Sequence, residues 1–176
     1  RLLASPRAIA PGELAYAPTA LLSPALAHLL AVRRTIGLRN PAHSLVKQMN
    51  PCAGPALLVS SYTHPEYAVS MAQVAQCLHS DALLLRGTEG EPVADPRRLP
   101  SMRVFRGGAL VHTVEPQTGS VAAMPDLPET TDPVATAQYT RAVLAGEQAL
   151  PAPIAEQVQQ IVRLHRTLTD TLEPRA

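Results

Sequence analysis

Basic side chains are concentrated in one stretch of the first third of the chain. Four of them fall within fifteen residues, with His43 among them: Arg33, Arg34, Arg39 and Lys47. Such a cluster can contact the phosphates of a nucleic acid, and the binding would then be sequence-independent and sensitive to salt. The alternative is ordinary surface charge balanced by nearby carboxylates. The formal net charge of +1 favours this alternative, whereas the clustering favours a phosphate-binding patch.

A second basic group lies further along the chain and consists of Arg97, Arg98, Arg103 and Arg106. The same two interpretations apply to it, a phosphate-binding patch or ordinary surface charge. Aromatic residues, which would stack on bases, make up only 3% of the chain. Phosphate contacts are therefore expected to dominate any affinity for nucleic acid.

Two glutamates, Glu89 and Glu91, follow an apolar run that is typical of a buried strand. Ligands bind at the carboxyl ends of parallel strands, and carboxylate oxygens suit Mg²⁺, so the pair is a candidate metal site. The alternative is a solvated loop in which Glu89 caps the following turn.

Other reactive residue types do not form a recognisable site. His43 and Ser44 are adjacent, so in a helix they point apart and are not a nucleophile–base pair. Cys52 and Cys77 match neither a disulfide framework nor a zinc-binding spacing.

The middle of the chain predicts a strand–helix–strand unit followed by a hairpin. Apolar runs at 56–59 and 82–85 predict buried strands, and the apolar spacing of 65–78 predicts the helix between them. This order is typical of two parallel strands with a crossover. Residues 102–106 and 110–114 flank a Gly-Gly pair and predict a β-hairpin.

The remaining segments predict mostly helices. Residues 13–17 suggest a strand, and residues 23–37 a helix that begins at Ser-Pro and ends at Gly. A short helix or turn is expected over 42–49, and a C-terminal pair of helices over 134–146 and 153–172. The expected fold is α/β, with a mainly parallel sheet flanked by helices, a β-hairpin and a C-terminal helical pair.

Composition limits the class of protein. Hydrophobic residues make up 46% of the chain, enough for an ordinary core, and no apolar run is long enough to span a bilayer. Cysteine usage and the absence of a signal-peptide pattern predict a reduced, cytoplasmic setting. The chain starts at Arg1 rather than Met, so we expect it to be part of a longer protein.

Four segments, in order and with similar gaps, resemble anthranilate phosphoribosyltransferases and related family-3 glycosyltransferases. They are residues 15–51, 57–78, 82–91 and 135–147. The resemblance implies the C-terminal domain type of the nucleoside phosphorylases and phosphoribosyltransferases, over the whole of residues 1–176. It also implies that an N-terminal helical domain and the donor-binding loop belong to sequence not included here.

Departures from the family pattern affect the catalytic residues. The family's Mg²⁺-binding Asp-Glu pair falls on Pro92 and Val93, which cannot bind a metal, and a family histidine is replaced by Arg86. The stretches Arg-Gly-Thr-Glu-Gly-Glu and His-Ser-Leu-Val-Lys resemble a narrower branch, the YbiB-like proteins. That resemblance implies a homodimer that lacks the anthranilate transferase activity and binds nucleic acid.

Two hypotheses follow. In the first, a non-catalytic protein without a cofactor binds nucleic acid through its basic side chains, which are Arg33, Arg34, Arg39, Lys47 and Arg86. In the second, a Mg²⁺-dependent enzyme transfers phosphoribosyl from phosphoribosyl pyrophosphate to an anthranilate-like or other nitrogen acceptor. By resemblance, Arg33 would then meet the acceptor's carboxylate, and Glu89 and Glu91 would bind the metal.

Overall fold

The chain divides into two compact units in the computed structural model, Arg1–Ala56 and Leu57–Ala176. The structure describes residues 2–88, 90–121 and 124–172. None of the described helices is long and apolar enough to cross a bilayer.

The first unit consists of short helices. These are α1 (Thr19–Leu22), α2 (Pro24–Ala31), α3 (Arg33–Ile36) and α4 (Ala42–Leu45), followed by a 3-10 turn at Val46–Gln48. Ser23 caps α2 as predicted, because its Oγ accepts the Leu26 N–H at 3.3 Å. Gly37 ends α3 in the left-handed region, with φ of 72°.

The single helix predicted over 23–37 is wrong, because it is interrupted at Val32. In a continuous helix the carbonyl of Leu29 would accept the N–H of Arg33. Instead it accepts Nδ2 of Asn40 at 2.7 Å. The strand predicted over 13–17 is also wrong. Only an isolated bridge between Leu2 and Tyr16 forms there.

The second unit contains a four-stranded sheet. Its strands are β1 (Leu57–Tyr62), β2 (Asp81–Arg86), β3 (Met102–Arg106) and β4 (Ala109–Val114), in the order β1-β2-β3-β4. The α/β class is confirmed. The sheet is mixed rather than mainly parallel, because only β1 and β2 are parallel and the hairpin adds two antiparallel pairings.

Three longer helices belong to this unit: α5 (Pro65–Cys77), α6 (Pro133–Ala145) and α7 (Ala152–Leu172). The predicted strand–helix–strand unit, hairpin and C-terminal helices are therefore confirmed. At the hairpin turn, Gly108 has φ of 82°, and a Cβ there would lie 2.9 Å from the carbonyl oxygen of Gln76. Glycine is needed at this position on both grounds.

The sheet separates two hydrophobic clusters, because strand side chains alternate between its faces. On the α5 side, Leu84 and Phe105 pack with Met71. On the α7 side, Leu83 and Leu164 pack in a second cluster. Phe105 and Leu83 are almost completely buried, and each such side chain stabilises the fold by about 1.5–3 kcal/mol.

A buried glutamine connects the segment after β2 to α7. Oε1 of Gln157 accepts the N–H of Ala94 at 2.8 Å, and its Nε2 donates to the carbonyl of Pro92 at 2.9 Å. Gln157 is only 4% exposed, so both bonds are shielded from water. The start of the 92–100 connection is therefore fixed against the helix.

Candidate functional site

A cleft of the second unit lies where β1 and β2 end and α5 begins. Its volume is about 580 Å³, and its wall includes Tyr62, Arg86, Pro65 and the 98–101 segment. Carboxyl ends of adjacent parallel strands are a common ligand site in α/β proteins, because the loops that follow them diverge. The position of this cleft follows from the one parallel pair in the sheet.

Two arginines project from the sheet into this cleft. Arg86 is paired with Tyr62 on β1, and Arg103 is paired with Leu84 on β2. Tyr62 and Leu84 both belong to the cluster on the α5 side, so both arginines lie on that face. Neither arginine forms an ion pair among the described residues. Two like charges on one face of the sheet favour an anion between them.

A third arginine reaches the cleft from the loop before β3. Arg98 donates from Nη2 to the carbonyl oxygen of Gly119 at 2.9 Å, which fixes the direction of its side chain. The backbone of Gln117 donates to the carbonyl of Leu99 at 3.0 Å. These bonds hold the 98–100 and 117–119 segments together on one side of the cleft.

The one acidic side chain in the described wall of this cleft is already neutralised. Asp95 accepts two hydrogen bonds from Nε and Nη2 of Arg97, each 2.9 Å long. The hydrogen bonds from Arg97 hold the pKa of Asp95 below its ordinary value, and Asp95 in turn raises the pKa of Arg97. The cleft therefore keeps the positive charge of Arg86, Arg98 and Arg103.

The loop after β2 is fixed by its own side chains. Oε1 of Glu91 accepts hydrogen bonds from the N–H and the hydroxyl of Thr88, both 2.9 Å long. Ser61 donates to the carbonyl of Gly90 at 2.9 Å. A Cβ at position 87 would lie 2.8 Å from the carbonyl oxygen of Glu91, so Gly87 is required for this close approach.

The helix that begins at the cleft adds a partial positive charge. Pro65 is its first residue, and the preceding His64 makes no side-chain cap to the helix. Thr63 lines the cleft, and its hydroxyl lies 2.9 Å from Nδ1 of His64. The backbone N–H groups of the first turn and the helix dipole both favour an anion near this end.

The basic cluster predicted in the first unit lies on the surface of that unit. Arg33 and Arg34 begin α3, Arg39 follows it, and all three are exposed and form no ion pair among the described residues. Lys47 is half-buried in the 3-10 turn. Asn40 binds both Leu29 and the N–H of Ala42, so the connection that carries Arg39 is fixed.

The second basic group does not form one patch, so of its two interpretations a single phosphate-binding patch is wrong. Arg98 and Arg103 line the cleft, whereas Arg106 lines a different pocket on the α7 side. Arg97 is held by Asp95. The group is divided because Arg103 and Arg106 are three residues apart on a strand, which places them on opposite faces.

The predicted metal ligands are only partly described. Glu89 lies outside the described residues. Glu91 uses one carboxylate oxygen to hold Thr88. The alternative of a turn capped by Glu89 also lies outside the described residues. Within residues 2–88, 90–121 and 124–172, no group of three His, Cys, Asp or Glu side chains is arranged to hold a metal ion.

The sequence predicted Arg86 as a phosphate contact, but it did not predict that Arg98 and Arg103 lie in the same cleft as Arg86. The signal for Arg103 is the antiparallel register of β3 on β2, which the hairpin alone does not give. Arg98 depends on the path of an irregular loop, which leaves no periodic pattern in the sequence.

Comparison with known proteins gives one informative relative. The chain is 36% identical over 146 residues to the uncharacterized protein YbiB of Escherichia coli (strain K12). The matched region covers 81% of this chain but 44% of YbiB, so the chain spans less than half the length of this relative. No family model matches the chain. The chain is thus homologous to part of YbiB, in keeping with the resemblance seen in its loops.

Proposed function

We propose that this protein binds nucleic acid without sequence preference, through contacts to backbone phosphates. The observation that carries the proposal is the cleft at the ends of β1 and β2. There Arg86, Arg98 and Arg103 converge, and the carboxylate of Asp95 is neutralised by Arg97. Guanidinium groups bind phosphate oxygens with paired hydrogen bonds, so this arrangement suits a phosphodiester.

The exposed arginines of the first unit supply further contacts. Arg33, Arg34 and Arg39 are not balanced by carboxylates among the described residues, so they are available to phosphates. Lys47 adds a half-buried charge to the same unit. Contacts of this kind carry no base information, so the affinity depends on salt far more than on sequence.

Two further features of the proposal come from resemblance, namely that the scaffold derives from the phosphoribosyltransferase type and that the protein forms a homodimer. The cytoplasmic setting rests on the cysteine usage and on the absence of a signal-peptide pattern. Two copies of each basic surface would raise the effective concentration of contacts on a long strand. Sedimentation velocity of the chain with and without an oligonucleotide tests the homodimer. A monomeric mass in both samples would contradict it.

Fluorescence anisotropy of a labelled single-stranded oligonucleotide across a salt series tests nucleic-acid binding. Binding should weaken steeply with salt, with a log–log slope of about −0.7 for each phosphate contacted. Arg86→Gln should reduce the steepness of this slope by about that amount. Arg141→Gln is the matched control, because Arg141 is exposed on α6 and lines neither described pocket. No binding at low salt would refute the proposal.

The position of the same cleft, at the carboxyl ends of two parallel strands, favours one second candidate, a Mg²⁺-dependent phosphoribosyltransferase. Arg33 would meet the acceptor's carboxylate, and Glu89 with Glu91 would hold the metal against phosphoribosyl pyrophosphate. Glu91 would first have to exchange its bonds to Thr88 for the ion. Mg²⁺-dependent release of pyrophosphate, abolished by Glu91→Gln, would establish the enzyme over the binding protein.

A further inference from the structure

A second pocket lies on the opposite face of the sheet, between α7 and the hairpin. Its volume is about 340 Å³, and its floor is apolar, formed by Val104, Val111 and Leu164. Its rim carries Arg106, His112 and Arg163, and no acidic side chain lies in its described lining. The side chains of His112 and Arg163 make no hydrogen bond or ion pair among the described residues. An apolar floor with a basic rim suits a ligand that combines an apolar group with carboxylates.

An irregularity in the hairpin shapes this pocket. Phe105 is paired with Leu110 and Val104 with His112, so Val111 is an extra residue in β4. Such a bulge redirects a side chain that would otherwise alternate to the other face. Val111 and His112 therefore both reach the pocket, and an apolar and a basic group stand side by side.

The same strand forms an open edge of the sheet. β4 is last in the strand order, and no strand of the described part of this unit pairs with its outer side. Leu110 is 51% exposed and Val111 56% exposed. Exposed edges with apolar side chains are templates for pairing with another extended chain, unless charges oppose it.

We propose that β4 and this pocket bind an extended acidic segment of another protein, which adds as a fifth strand to the sheet. Backbone bonds to the edge of β4 would supply affinity, and an apolar side chain would enter the pocket. Flanking carboxylates would meet Arg106, His112 and Arg163. The proposal does not depend on nucleic-acid binding by the cleft, because the two sites lie on opposite faces of the sheet.

Charge decides against the other occupants. In a two-fold dimer joined through β4, the basic rims of both copies would lie on the same side of the extended sheet. Their like charges would repel each other. A nucleic acid would satisfy the cations but leave the apolar floor unfilled. The described lining also contains no Phe, Tyr or Trp side chain, which leaves only the imidazole of His112 to stack on a base. An acidic peptide satisfies both parts of the pocket.

The test uses the chain and a synthetic peptide, blocked at both ends and fluorescently labelled, in which one isoleucine has a glutamate two positions away on each side. In an extended strand these three side chains lie on one face, so the isoleucine can enter the pocket while the glutamates meet its rim. Anisotropy should show saturable binding, and the backbone amide signals of β4 should shift in the NMR spectrum. Arg163→Glu should weaken binding about tenfold. Arg141→Glu, also an exposed helical arginine, is the matched control and should leave binding unchanged.

Two further probes separate strand addition from simple charge attraction. A peptide with lysine in place of glutamate should not bind, and a peptide N-methylated on alternate amides should lose its affinity. Equal binding of the lysine peptide, an unchanged affinity in Arg163→Glu, or no shift of the β4 amides would each overturn the proposal. The proposal would also be overturned if the peptide did not bind and Arg163→Glu lowered the affinity for the oligonucleotide. The rim would then be part of the nucleic-acid surface. A dimer that dissociates in Val111→Lys would identify a second copy as the occupant and would equally overturn the proposal.

Discussion

The two faces of the sheet present arginines in different surroundings. Arg103, on the α5 side, shares with Arg86 a cleft at the ends of two parallel strands, and that cleft also presents polar side chains such as Thr88. Arg106, on the α7 side of the same strand, borders an apolar floor formed in part by Leu164. The same residue type is therefore suited to different anions, because the neighbours decide how much of the ligand can be apolar.

The largest expected effect separates the two faces directly. Arg103→Glu should lower the affinity for a single-stranded oligonucleotide about 50-fold at low salt, because it removes a charged contact and adds a repulsive charge. Arg106→Glu should change that affinity by less than about threefold and should instead weaken binding of the acidic peptide. Anisotropy with both probes measures the four affinities. Equal losses of oligonucleotide binding in the two variants would show that the faces are not distinct.

A smaller effect should follow from displacing the loop after β2. Gly87→Val places carbon atoms against the carbonyl oxygen of Glu91, and a Cβ there would also lie 3.2 Å from the Cβ of Ser61. We expect a loss of about 1–3 kcal/mol in the free energy of unfolding and about tenfold weaker oligonucleotide binding. Urea denaturation and anisotropy measure the two quantities.

The matched control is Gly54→Val, because nothing lies within 4 Å of a Cβ at that position and the backbone is not left-handed there. Peptide binding at β4 should survive in both variants. If Gly87→Val left oligonucleotide binding intact, the loop would not form part of the nucleic-acid site.

A modest gain should result from removing the acidic group of the cleft. Asp95→Asn releases Arg97 from its ion pair, so the cleft gains net positive charge. Oligonucleotide affinity should rise about two- to threefold at low salt and return to the wild-type value at high salt. The opposite substitution, Arg97→Gln, leaves Asp95 without its partner and should weaken binding. A loss of affinity in Asp95→Asn would mean that Asp95 contributes to the site by its shape or hydrogen bonds instead.

Local patterns were sufficient to predict the elements that surround the cleft. The apolar runs at 56–59 and 82–85 became β1 and β2, and the Gly-Gly pair gave the hairpin turn. Ser23 and Gly37 were identified as helix ends because capping depends on residues close in the chain. Arg86 directly follows the apolar run 82–85, so its place at the end of β2 could be predicted from that run.

Contacts between distant residues account for what could not be predicted. The helix break at Val32 depends on a bond from Asn40 to Leu29, eleven positions apart. The division of Arg103 from Arg106 depends on how β3 joins the sheet. The balancing of the Asp95 charge depends on its side chain turning towards Arg97 rather than Arg98. Composition and periodicity contain none of this information.

The smallest expected effect is that of pH, and it distinguishes arginine contacts from carboxylate contacts. The pKa of Asp95 is lowered by its hydrogen bonds to Arg97. A lowered pKa means that the pair stabilises the fold fully above the ordinary carboxyl value of 3.8, and that this stabilisation is lost as the pH falls through the lower folded value. Between about pH 8 and pH 5, Asp95 therefore stays ionised and paired, and the arginines stay protonated.

Oligonucleotide affinity at constant ionic strength should accordingly not decrease over this range, and a chelator should have no effect on it. Anisotropy at about pH 8, 6.5 and 5, with and without chelator, measures this. A metal held by Glu91 would give the opposite result, because protons compete with the ion for the carboxylate. The affinity would then fall by more than about threefold at pH 5, and the chelator would lower it by a similar factor. That result would mean that a carboxylate-bound metal, and not arginine, is the main contact to phosphate.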